Sequence, residues 1–353
     1  MRKTLVVLLV AALGLGAAGC AKKSENKSSG TVQPKIGFVV AAKAAHFSDE
    51  LARGFTAGAK QAGATATVDG PPSPDPPKQV QMLQQLAQSE KDGVALAANG
   101  PGGPEMFSRP LADAVKTDTS VVTIDGAPPV GSNVTLCVTN DNYELGQQLA
   151  KPLIAKIPAD ATGKVVIGTP APGAPVLDLR AKAIRDSFAK DRPKIQVLGP
   201  FYTEQDQGAS RKAWTRLAAA NPTAVAMVAV GDEGADLAAV RKETHGTWLA
   251  ASFDLNPDAL PEVKAGNVAV LVSPEHFLKA AVAARLMAQR AKEGTALPEG
   301  WIYIPGLVVT SDNIDTIIQR QASDDARAAA LNPQIDAIVK DPKAHLRPLS
   351  EAR

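Results

Sequence analysis

Cysteine is scarce in this chain: there are two in 353 residues, Cys20 and Cys137. That number excludes a disulfide scaffold and a four-cysteine zinc site, and the wide separation of the pair disfavours a mixed cysteine–histidine one. Histidine is almost as rare. His46, His245, His276 and His345 are scattered without HxxxH spacing, so no metal centre is expected. An excess of one charge is also missing, since 38 Lys and Arg face 36 Asp and Glu. Arg2 and Lys3 lie ahead of residue 20 and no acid does, so the chain from Cys20 onward is formally balanced. A balanced surface has no general pull toward nucleic acid or anionic membrane. Signs of catalysis are absent too. No GxSxG elbow occurs, and the acids are not paired in a way that singles out a proton donor and acceptor. Asn99 to Pro104 is glycine-rich but lacks the Lys-Ser/Thr of a phosphate loop, and its prolines remove amides that would cradle phosphate. Cys137 sits in an apolar strand and reads as a buried small hydrophobe.

What is present begins with an address. Arg2-Lys3, the apolar stretch Leu5 to Leu15 and the small residues Ala17-Ala18-Gly19 form a secretory signal over residues 1–19. The uncharged run from Thr4 to Gly19 is 16 residues, short of the ~20 that span a bilayer as a helix. Ala-Ala-Gly-Cys then resembles the lipobox of bacterial lipoproteins, with Ala17 where leucine is usual. The resemblance implies acylation of Cys20. Residues 20–34 are polar, rich in Ser and Lys, and end in proline, which makes them a flexible tether. The expected protein is extracytoplasmic, held at the cell membrane by lipid alone, with its body in water.

The chain as a whole has a globular balance, with 45% apolar and 21% charged residues, and its body is long enough for two domains. From Lys35 onward, short β-branched runs alternate with amphipathic stretches. Ile36–Val40 is a buried-strand pattern, followed by Phe47, Leu51 and Phe55 on one helical face. Asp75 before Pro76-Pro77 is a helix start, with Val80, Leu83 and Leu86 lining the inner face. Further strands are predicted at Thr65–Val68, Val94–Ala98, Ser120–Asp125, Val134–Val138, Lys164–Thr169, Ile195–Phe201, Ala224–Val230, Thr247–Phe253, Val268–Ser273 and Ile302–Val309. Helices are predicted at 142–155, 175–190, 207–219, 233–243 and 276–293. Such alternation gives an α/β fold of doubly wound parallel sheets covered on both faces, and about a dozen strands need two of them.

The chain resembles the type I periplasmic substrate-binding proteins of sugar ABC transporters, the ribose- and galactose-binding relatives. The likeness covers most of 35–320 and is carried by IGFVVAAKAAHFSDELARGFTAGAKQAG, DPPKQVQMLQQLAQSEKDGVALAANGP, VVTID at 121–125, NDNYELGQQLA at 140–150, ANPTAVAMVAVGDEGADLAAV at 220–240 and ASFDLNPDALPEVKAGNVAVLVSP at 251–274. It implies two lobes joined by a three-crossing hinge, with the ligand between them. The first lobe would take 35–138 plus 275–302 and the second 139–274 plus 303–330, leaving 331–353 as a C-terminal tail. It also implies no enzyme activity and no cofactor. The partners would be a small sugar or polyol and an ABC permease, and the protein a monomer.

Open α/β sheets bind ligands at the carboxyl ends of their strands, which selects polar and aromatic residues just after strands. In the first lobe these are Lys43, Phe47, Asn99 and Asp125, with His46 beside them. In the second they are Asn140, Asp178, Asp232 and Asp254, and Glu275 follows the last strand. Carboxylates and amides clasp vicinal hydroxyls, and an aromatic face covers the apolar side of a sugar ring. The resemblance places Asp125, Asp232 and Asp254 near hydroxyl-holding positions and Phe47 at a stacking one. Helix capping competes for Asp125, Asp232, Asn140, Asp141 and Asp254, solvated loop charge competes for Lys43 and Asp178, and Arg180 reads as part of a structural ion pair. Ala41, Ala45, Asp178 and Gly231 depart from the ribose-type pattern, so the pocket is not a copy of it. A surface sensor serving a membrane receptor, and a nucleoside in place of a sugar, stay open. A transcription regulator of the same fold is disfavoured by the signal and the missing DNA-binding headpiece.

Overall fold

The computed structural model describes residues 33–98, 103–117 and 119–353. The signal, Cys20 and Asn99 lie outside the described residues. The chain opens with β1 (Lys35–Val39), α1 (His46–Gln61), β2 (Thr65–Asp69), α2 (Pro76–Ser89), β3 (Gly93–Ala97), α3 (Ser108–Lys116), β4 (Val121–Ile124) and β5 (Leu136–Thr139). It continues with α4 (Asn142–Ala155), β6 (Gly163–Thr169), α5 (Pro175–Asp191), β7 (Ile195–Tyr202), α6 (Gln207–Ala220), β8 (Ala224–Ala229), α7 (Gly234–Glu243), β9 (Leu249–Phe253), α8 (Leu260–Lys264) and β10 (Val270–Ser273). Last come α9 (His276–Glu293), β11 (Gly300–Tyr303), β12 (Leu307–Val309), α10 (Ile314–Gln321), α11 (Asp324–Lys340) and β13 (Leu346–Arg347).

Among the described residues the strands form two sheets, in the orders β13-β11-β5-β4-β3-β1-β2 and β12-β10-β9-β8-β6-β7. Each is parallel except for one antiparallel edge strand, β13 in the first and β12 in the second. The first sheet is covered on one face by α1, α9 and α11, on the other by α2 and α3. The second has α4 and α5 on one face and α6, α7, α8 and α10 on the other. Burial on both faces is why β3, β4, β5 and β10 are buried at every position and read as mostly apolar runs rather than alternating ones.

Local chemistry explains the helix starts. The Asp75 side chain accepts from the Lys78 amide with Pro76 at the first helical position, and Asp141 and Asp206 cap α4 and α6 in the same way. Gly54 and Gly58 let α1 lie against α9; a Cβ at either would collide with the carbonyl oxygen of Phe277 or Ala281.

The chain crosses between lobes near 139, 274 and 303, as the hinge expectation requires. Asn140 fastens these crossings together: its amide donates to the carbonyls of Pro274 at 3.0 Å and Ile304 at 2.8 Å. Two features differ from the sequence expectation. Ile302–Val309 is not one strand but β11 in the first sheet and β12 in the second, because Pro305-Gly306 interrupts pairing where the chain changes lobes. The stretch after Ala322 crosses a fourth time. Leu331, Ile335, Ile338 and Val339 of α11 join the core of the first sheet, and β13 pairs with β11.

Candidate functional site

A cavity of about 700 Å³ opens between the lobes, lined by loops that follow strand ends: Ala41–Phe47 after β1, Asp125 after β4, Pro170–Ala174 after β6, Gly231–Glu233 after β8 and Asp254–Asp258 after β9. This is where an open α/β sheet carries a ligand, and the volume suits a small molecule. The first lobe contributes a mostly apolar wall of Ala41, Ala42, Ala44, Ala45, Phe47 and the Pro72–Pro74 turn, while the second contributes acids.

At the floor is a buried ionic network built on one face of α9. Lys279 is 0% exposed. Its ammonium is shared between Asp125, at short range, and the Asn140 side-chain oxygen at 2.7 Å. One turn earlier His276 meets Asp254 through Nε2 at 2.8 Å and faces Asp125 through Nδ1 at 3.5 Å. Burial pushes both carboxyls up. Lys279 and His276 override it at Asp125, as His276 and Arg180 do at Asp254, so both are held below the usual carboxylate range. Asp125 and Asp254 both take left-handed backbone angles, φ 61° and 67°. Only a few residue types, Asp among them, adopt this conformation readily. Arg180 enters the cavity wall from α5, where Nε donates to Asn142 Oδ1 and Nη1 to the Val230 carbonyl, both at 3.1 Å, with the guanidinium 4.5 Å above the Phe253 ring centroid.

The β8 loop is the most acidic part. Asp232 accepts from Asn256 Nδ2 at 3.2 Å and lies 3.6 Å from His46 Nδ1. Burial and the neighbouring Asp254 charge raise its carboxyl well above the ordinary range. Glu233 accepts from the Thr203 hydroxyl and from Trp214 Nε1, and burial pushes its carboxyl up to about 7.

A raised folded-state value makes Glu233 stabilising in acid. The contribution is whole below its unfolded value near 4.5 and is lost as pH rises through about 7. At ~1.4 kcal/mol per unit, roughly 3 kcal/mol should drain from this group across that window. Glu233→Gln is therefore expected to show a flatter dependence of unfolding free energy on pH between about 4.5 and 7 than wild type, measured by denaturant titration. Parallel curves would show that Glu233 ionises as an ordinary carboxyl does.

Of the residues selected by their position after strands, Phe47, Asp125, Asp232 and Asp254 line the cavity together, and so does His46. Others do not. Lys43 turns out to Asp69 at 3.1 Å. Asp178 is exposed on the first turn of α5. Asn140 is fully buried and spends its amide on the hinge and Lys279. Glu275 is locked in a two-pronged pair with Arg320 at 2.9 and 3.0 Å. Sequence reasoning missed Arg180, His276 and Lys279. The signal for Lys279 was there: it is a lone cation inside the apolar run Phe277–Ala284. Among the described residues no group of three metal-ligating side chains converges, and no helix is long and apolar enough to cross a membrane.

A family model described as "Periplasmic binding protein domain" matches residues 36–296. Among curated proteins, the D-allose-binding periplasmic protein of Escherichia coli (strain K12) is 24% identical over 259 residues, covering 70% of this chain and 82% of that one. Two solved structures share the fold. A glucose-galactose binding protein from Geobacillus stearothermophilus superposes with a TM-score of 0.70 at 19% identity, covering 80% of this chain and 98% of its own. An ABC transporter solute binding protein from Burkholderia graminis, in complex with D-arabinose, gives 0.71 at 22% identity over 80% and 96%.

Proposed function

This chain belongs to the periplasmic binding protein domain family, and from that premise we propose that it captures a small polyol, a monosaccharide or sugar alcohol, and delivers it to an ABC import permease. The family is one of extracytoplasmic solute binders, not enzymes. The observation that carries the polyol reading is the joint placement of Asp125, Asp254 and Arg180 around one inter-lobe cavity with Phe47 on the facing wall. Carboxylates and a guanidinium bind paired hydroxyls with charge-assisted hydrogen bonds. The relatives named for D-allose and for glucose and galactose support it. Acylation of Cys20 would hold the body at the membrane as a monomer on a tether.

Binding works by population shift. A ligand touching both walls stabilises the closed arrangement, and Asn140, which joins the crossings near 139, 274 and 303, is the pivot. The closed lobes are what the permease reads. A thermal-shift screen of aldoses, ketoses and alditols, D-allose and D-arabinose included, is expected to find one that raises the unfolding midpoint by mass action. For that ligand, Asp254→Asn should weaken binding by roughly 1.5–3 kcal/mol, the range for a hydrogen bond to a charged group, whereas Lys43→Ala should leave it unchanged. Equal losses from both, or none from Asp254→Asn, would move the site away from this cleft.

A further inference from the structure

The cleft is one-sided in charge. The second lobe lines it with Glu204, Asp206, Asp232, Glu233, Asp236 and Asp258 in addition to Asp254. Of the basic groups near it, His276 meets Asp254 and His46 lies 3.6 Å from Asp232, while the full cations are already committed. Arg180 is held by Asn142, the Val230 carbonyl and the Phe253 face. Lys279 is held by Asp125 and Asn140, and Lys43 by Asp69. Two carboxylate oxygens on the cavity wall are left buried with no hydrogen-bond partner, Asp232 Oδ1 and Glu233 Oε2. Glu233 is only 5% exposed, and its Oε2 lies beside Gly231, where a Cβ would come within 3.2 Å of it and whose backbone N–H partly offsets the effect of burial.

Buried carboxylates bonded through only one of their two oxygens call for further donors and countercharge. A neutral sugar supplies donors through its hydroxyls but no countercharge. An ammonium group has three donors, no acceptor and the missing positive charge. The upward shift of both carboxyls has the same cause, since burial without countercharge disfavours the ionised form. The facing wall of alanines, prolines and Phe47 suits the C–H face of the same molecule.

We propose that the ligand is an amine-bearing polyol, an amino sugar or amino alditol in its ammonium form, with the ammonium against Asp232 and Glu233 and the hydroxyls on Asp125, Asp254 and Arg180. This deepens the polyol reading and rests on it. The test is calorimetry and thermal shift on the full chain with matched triplets: D-glucosamine, D-glucose and N-acetyl-D-glucosamine; the galactose set; and 1-amino-1-deoxy-D-sorbitol beside sorbitol. At least one amine should bind tenfold or more tighter than its neutral and N-acetylated counterparts. Asp232→Asn, and separately Glu233→Gln, should erase that preference, so that the amine and its neutral counterpart bind alike. Equal or tighter binding of the neutral member in every set overturns the charge preference and leaves the polyol reading standing. A response to no amine overturns it as well, and a response to no polyol of either kind removes the polyol reading with it.

Discussion

Lys279→Met is expected to lower the unfolding free energy by ~3–5 kcal/mol, the loss typical when one partner of a buried ion pair is removed. Lys279 is 0% exposed and its ammonium is shared between Asp125 and Asn140. Methionine fills nearly the same space, so little of the loss should come from a cavity. What remains is a carboxylate in the floor of the cleft without its main countercharge. The double variant Lys279→Met/Asp125→Asn removes both charges and should recover much of the stability, so that a double-mutant cycle returns a large coupling. Acid should narrow the single variant's deficit. In wild type the depressed Asp125 carboxyl gives stability that is present above the ordinary carboxylate range and lost as pH falls through its folded value. In the variant that term has already gone. Additive losses across the cycle, measured by denaturant titration, would show that the pair is not coupled. The consequence is aim, because the ion pair and the left-handed backbone at Asp125 fix where this carboxylate sits in the cavity wall.

That coupling also shows where sequence reasoning reached its limit. The strands were legible because sheets covered on both faces need apolar residues at every position. The first two helices were legible, α1 from the periodic face of Phe47, Leu51 and Phe55, and α2 from its start at Asp75 and its inner face. The cleft was legible in outline because the fold puts ligands at strand ends, which finds Phe47, Asp125, Asp232 and Asp254. That rule selects loops, not directions. Lys43 and Asp178 satisfy it equally well, yet one turns to Asp69 and the other to solvent. Arg180 read as part of a structural ion pair because its partners, Asn142 and the Val230 carbonyl, come from elements 38 and 50 residues away. Asn140 reads as a capping residue beside Asp141. Only the return of the chain at Pro274 and Ile304 turns it into a hinge pin.

Ile335→Ala is expected to cost ~2–5 kcal/mol, as a fully buried core isoleucine does when truncated, and to destabilise the first lobe as a whole rather than release a loose end. Ile335 is 0% exposed and packs with Leu331, Ile338 and Val339 in the same core as Phe277 of α9 and Ile302 of β11. The helix is also docked by charge. Its Arg327 reaches Glu50 of α1 at 3.1 Å, and Arg53 reaches back to Asp324 at 3.0 Å. Half-exposed pairs of the second kind contribute little alone, so the core contacts should decide the outcome. Gln334→Ala, on the exposed face one residue earlier, is the control and should change stability by about 0.5 kcal/mol or less. Similar losses from the two variants would mean that α11 is only loosely attached. The segment matters beyond stability because it continues past β13 to the hinge. Arg347 lies 3.4 Å over the Tyr303 ring on the third crossing strand. Arg353 then donates to Asp141 at 3.0 Å, and its carbonyl accepts from the Asn142 amide at 3.0 Å, at the start of α4 in the second lobe. An element anchored in the first core thus ends on the second lobe beside Asn140. Any closing rotation must either turn about that contact or break it, which makes the anchoring of α11 part of how the hinge works.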